Sequence, residues 1–75
     1  MTYQKGDAIV AICDDQTVEA EVLMISENQC AALIGFEAIF NGHVGRMPLL
    51  LQDAERGVYR SMDGTEVTIR RKLSS

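Results

Sequence analysis

The sequence predicts an all-β fold, a small SH3-like antiparallel β-barrel of five to six strands. Three observations carry that expectation. Turn signals recur at short intervals: Asp14-Asp15, Glu27-Asn28, Asn41-Gly42, Glu55-Arg56-Gly57 and Asp63-Gly64. The segments between them are rich in apolar and β-branched residues, and short strands at this spacing indicate a barrel or sandwich. No stretch holds a 3.6-residue period for three turns. At 75 residues the chain makes one domain, spanning 1–75, with residues 71–75 expected as a disordered tail.

The expected strands are 7–13, 17–26, 30–40, 43–51, 58–61 and 66–70. In the second, Val18, Ala20, Val22 and Met24 alternate with Thr17, Glu19 and Glu21, which favours a strand over a short helix. Asn41-Gly42 is the strongest local signal, because Asn-Gly suits a two-residue type I′ turn with positive φ at both positions. That turn sets Phe40 opposite His43 and Ile39 opposite Val44. Continued without interruption, it sets Glu37 opposite Arg46 and Phe36 opposite Met47. Pro48 has no backbone donor, so its strand must lie at an edge or carry a bulge.

Hydrophobic pattern sets the register of the preceding hairpin. A three-residue loop, Glu27-Asn28-Gln29, places Met24 opposite Ala32, Val22 opposite Ile34 and Ala20 opposite Phe36. One face then carries Val18, Ala20, Val22, Met24, Cys30, Ala32, Ile34, Phe36, Ala38, Phe40 and Met47, which is a core. A slip of one residue would move that whole set to the other face. The reverse face is polar at one end, with Glu19, Glu21, Glu37 and Arg46. At the other end it carries Leu23, Ile25, Ala31 and Leu33, continued by Ile39 and Val44. Exposed apolar patches of this kind mark interfaces. Leu23, Ile25, Leu33, Ile39 and Val44 are therefore the candidate interface residues.

A chain this short buries only about 60% of its unfolded surface. Small domains therefore lean on disulfides, metal or self-association. Cys13 and Cys30 form no CxxC pair, and one His leaves no four-ligand zinc set of Cys and His. Both cysteines read as reduced core hydrophobes. Self-association remains as the expected stabiliser, with the chain itself as its partner. Charge is uneven: residues 1–37 hold one base against seven acids, and residues 38–75 hold six bases against four acids. The formal net charge of −4 disfavours nucleic acid as a partner. No run approaches the ~18 apolar residues of a membrane span. The N-terminal residues lack a signal peptide's apolar core, so the expected location is cytoplasmic.

The residues that could carry chemistry are few. His43, beside the turn, is the only imidazole, and no neighbouring Ser, Cys or Asp marks it as the base of a nucleophile. Asp14-Asp15 reads as turn geometry. No GxGxxG or P-loop signals a phosphate cradle. Arg70-Arg71-Lys72 is a short basic tail, and Tyr3 and Tyr59 are the only aromatics left outside the expected core. No catalytic, cofactor-binding or metal-binding residue is assigned, and the chain is expected not to be an enzyme.

Lys5-Gly6-Asp7, Phe36-Glu37-Ala38, Gly42-His43-Val44-Gly45, Met47-Pro48, Tyr59 and the closing Gly64…Val67 stretch resemble a group of short bacterial SH3-like barrel proteins with no established activity. The likeness spans most of residues 5–70 and implies the fold, without site residues. Resemblance to the PilZ domain, a cyclic-di-GMP-binding barrel, is confined to Ser26, and the arginine pair that grips phosphate is missing. The plasmid-type trimethoprim-resistant dihydrofolate reductase is similar in size and fold class, but its Val-Gln-Ile-Tyr motif is absent. The expected function is a homo-oligomeric protein-interaction or scaffold module. The alternative is a ligand- or nucleic-acid-binding barrel, Sm-like or PilZ-like.

Overall fold

The computed structural model describes residues 3–72. Six strands follow one another: β1 (Ala8–Cys13), β2 (Gln16–Ile25), β3 (Ala31–Phe40), β4 (His43–Asp53), β5 (Val58–Ser61) and β6 (Glu66–Arg71). Each pairs antiparallel with its sequence neighbour, and β6 returns to β1, closing the barrel. Closure removes the free sheet edges that a small β protein otherwise exposes. Arg71, expected in a tail, extends β6 and faces Ile9 of β1. Lys72, also expected in that tail, donates its N–H to the Ala8 carbonyl at 3.1 Å, and residues 73–75 lie outside the described residues.

Alternation along the strands fills the interior. Ile9, Ala11 and Cys13 enter from β1, Val22 from β2, and Ala32, Ile34, Phe36 and Phe40 from β3. Met47 and Leu49 enter from β4, Val58 and Tyr59 from β5, and Val67 and Ile69 from β6. Tyr3 joins them from the N-terminal segment, so both tyrosines expected outside the core are buried in it. Phe36 and Phe40 meet edge to face, with ring centroids 5.8 Å apart. Glu19 and Glu21 face solvent, as the expected register requires.

The tip of the β3–β4 hairpin forms as the sequence predicts. Asn41 and Gly42 take φ of 50° and 78°, and Phe40 faces His43 while Ile39 faces Val44. Below the tip the expectation fails. The register shifts between Gly35 and Ile39, so Arg46 faces Gly35 and Met47 faces Ile34. Residues 36–38 stand against Gly45 alone, which takes a φ of 84°. Glu37 therefore does not pair with Arg46, and Ala38 is exposed rather than in the core.

A second bulge corrects the β2–β3 hairpin. Val22 faces Ile34 as expected, but Met24 faces Leu33 and Ile25 faces Ala32. Leu23 is the extra residue. A bulge sets two residues of one strand against one of its partner. Here Leu23 and Met24 both stay outside, while Ile25 turns in against the core. Met24, expected inside, is 64% exposed. Beyond the Glu21–Gly35 pair the two strands part, so Ala20 does not face Phe36. The connecting loop is wider than three residues. Ser26 N–H donates to the Ala31 carbonyl at 2.9 Å, and Asn28 Oδ1 accepts from Cys30 N–H at 3.1 Å. Cys30 is thereby exposed rather than buried, while Cys13 is buried; both thiols are free.

Candidate functional site

The apolar end of the outer β2–β3–β4 face is where the expected interface gathers, with a changed membership. The cross-strand pairs Met24–Leu33, Leu33–Pro48 and Ala31–Leu50 set these residues side by side. They line a trough of about 340 Å³, reached also by Ile25 and by Met62, which follows β5. Met24, Leu50 and Met62 are 64%, 54% and 73% exposed. No charged side chain lines the trough.

The five residues singled out in the sequence separate. Leu33 lies in the trough and is half-buried. Ile25 borders it, but packs largely against the core. Leu23 lies over Gly35, where a Cβ would come within 2.8 Å of a Leu23 methyl carbon. Ile39 and Val44 are exposed but sit at the hairpin tip, outside the trough. Met24, Pro48, Leu50 and Met62 were missed. Gly35 was the available signal, since a lone glycine in a strand pattern marks a bulge or a close approach. It is covered by Leu23, and that bulge moves Met24 outward.

A charged row crosses the same face beside the trough. Gly35 of β3 is flanked by Glu21 of β2 and Arg46 of β4, both exposed. With strands about 4.8 Å apart, acid and base stand about 10 Å from one another on either side of β3.

The two barrel ends differ chemically. At one, the N-terminal segment is held by Gln29. Tyr3 N–H donates to Gln29 Oε1 at 2.8 Å, and Gln29 Nε2 donates to the Tyr3 carbonyl at 3.1 Å. The Tyr3 hydroxyl donates to the Ile69 carbonyl, and the Tyr59 hydroxyl to the Gln29 carbonyl. Burial pushes both phenols above their usual pKa. Arg71 lies 5.1 Å from the Tyr3 ring centroid and donates to Asp7 at 2.9 Å. The backbone N–H of Gln4, followed by Arg71, holds the Asp7 carboxyl below the ordinary range.

At the opposite end, His43 Nδ1 lies 3.0 Å from the Asn41 carbonyl oxygen. The Ser61 hydroxyl donates to Asp63, which also accepts from Thr65 N–H at 3.2 Å. Those bonds, with a smaller contribution from His43, hold Asp63 below its usual value. The serine thus serves the carboxylate and not the imidazole. Burial, reinforced by Asp14, Asp63 and Asp15, raises the Cys13 thiol, which disfavours a reactive thiolate. Among the described residues no group of three His, Cys, Asp or Glu side chains is arranged to hold a metal. No family model matches the chain, and no curated protein or solved structure matches it.

Proposed function

We propose that this barrel is a non-enzymatic interaction module that assembles with itself through the outer β2–β3–β4 face. The trough around Met24, Leu33, Pro48, Leu50 and Met62 carries the reading. Monomeric proteins seldom leave such a patch to water. Fully burying one Leu or Met side chain is worth about 1.5–3 kcal/mol. An isologous interface contributes each twice, which is the scale of an association cost of about 4–15 kcal/mol.

Charge placement favours a second copy as the occupant. A two-fold axis running along β3 in the plane between two such faces carries β2 over the partner's β4. Glu21 then stands opposite the partner subunit's Arg46, and Arg46 opposite the partner subunit's Glu21. The same rotation lays Met24 over the partner's Pro48 and Leu33 over its own copy. A face that complements itself in this way fixes orientation as well as affinity.

Light scattering over a micromolar concentration series tests the reading. Wild type is expected to exceed the mass of one chain. Met24→Glu with Leu50→Glu is expected to stay folded and run as a single chain. A wild-type mass of one chain at every concentration would overturn the proposal, as would a folded double variant that still assembles.

A further inference from the structure

We infer that the barrel mouth closed by Tyr3 is a binding site for a small aromatic anion: a ring system bearing one carboxylate or phosphate. A groove of about 440 Å³ opens there, within the size range of small-molecule sites. Leu51, Ile69 and the two tyrosines Tyr3 and Tyr59 form its apolar part. Tyr3 and Tyr59 are buried and border the groove with little of their rings exposed, so a flat ligand ring meets them in edge-on contact. The tyrosine hydroxyls are committed to the Ile69 and Gln29 carbonyls, which fixes the rings in place before any ligand arrives.

The rim selects charge. Arg56, Arg70 and Arg71 line the groove against a single acid, Glu55. The chain holds only seven Lys and Arg against eleven Asp and Glu, so three bases at one mouth run against the overall balance. Arg71 is ion-paired with Asp7 and lies over the Tyr3 ring, so it shapes the rim while its charge is compensated, and the charge selection falls to Arg56 and Arg70. Arg56 and Arg70 are exposed and are the groups placed to fork onto an anionic head. The Arg56 guanidinium makes a long contact with Asp53, at 3.9 Å, and the Arg56 backbone N–H donates to the same carboxylate. The groove shares no lining residue with the apolar trough, so this site stands or falls independently of self-association.

Naphthoate is a suitable probe, with naphthalenemethanol as its uncharged counterpart, titrated into the full chain and followed by amide NMR. Naphthoate is expected to shift the signals of Tyr3, Gly57, Tyr59 and Arg70 saturably, and to bind about tenfold more tightly than the alcohol. Arg56→Gln with Arg70→Gln is expected to remove that preference while signal dispersion is kept, and Arg60→Gln, on another face, to leave it intact. Four results would overturn the site. These are no saturable shift, equal affinity for acid and alcohol, a preference that survives the double substitution, and shifts confined to Met24, Leu33 and Leu50.

Discussion

Two outer faces of one barrel satisfy their side chains in opposite ways. Across β4, β5 and β6, Arg60 Nε donates to Gln52 Oε1 at 2.8 Å, and Gln52 Nε2 donates to Glu66. That face is polar and its groups pair with one another. Across β2, β3 and β4, Met24 and Leu50 instead flank Leu33 and Pro48 with no charged side chain among them. One strand, β4, serves both: Leu50 belongs to the apolar side, while its cross-strand partner Arg60 begins the polar one. The change in chemistry therefore falls within a single cross-strand pair. A closed barrel folds around its interior, so this apolar exterior is not part of the core, and under the proposed self-association it is the surface that a second copy covers.

Separating folding from association breaks the comparison most forcefully. Ile34 is fully buried, and Ile34→Ala is expected to cost roughly 2–5 kcal/mol in a denaturant titration. On a margin of about 5–15 kcal/mol that loss is a large share. A loss under half a kcal/mol would mean that the interior packs loosely. The hairpin tip that joins β3 to β4 comes next. Gly42 sits at φ +78° with open space around it, so Gly42→Val suffers from backbone conformation alone. The left-handed penalty is about 1–2 kcal/mol, read as a drop in Tm. A neutral result would refute the turn geometry.

The acid response is expected to be smaller and to involve neither outer face. Asp63 and Asp7 have folded pKa values below the ordinary 3.8. Each therefore contributes stability that is present above that value and is lost as pH falls through the lower, folded value. Asp63→Asn should flatten the fall in Tm below about pH 4. An unchanged slope would show that the Ser61 and Thr65 bonds do not favour the ionised carboxylate. The smallest effect belongs to the polar face. Arg60→Ala is expected to change stability by no more than about 0.5 kcal/mol and to leave the assembled mass unchanged. A changed mass would put the interface on the wrong side of β4.

The sequence discloses those regions where structure is local. Asn41-Gly42 dictates its own turn, and so the pairs Phe40–His43 and Ile39–Val44 follow from two residues. Period-two alternation likewise places Val22, Ile34 and Met47 inside. Gly35 marks a bulge or close approach, but the register of the bulges stays hidden because it answers to packing between strands. Leu23 is extruded over Gly35, which lets Ile25 reach the core and turns Met24 out. Alternation alone reads that exchange backwards. The run Pro48-Leu49-Leu50-Leu51 is apolar throughout, so its pattern cannot say that Leu50 faces out while Leu49 faces in. The arginine-rimmed mouth was equally hidden, because barrel closure brings Tyr3, Arg56 and Arg70 together from distant parts of the chain.

Self-association through the β2–β3–β4 face is tested most directly by methyl NMR of the wild-type chain during dilution. The methyl signals of Met24, Leu33, Leu50 and Met62 are expected to move together along one concentration-dependent curve, while the Thr68 methyl, on a strand outside that face, stays fixed. Methyl shifts that do not change with concentration would contradict the account, as would movement confined to Ile39 and Val44 at the hairpin tip.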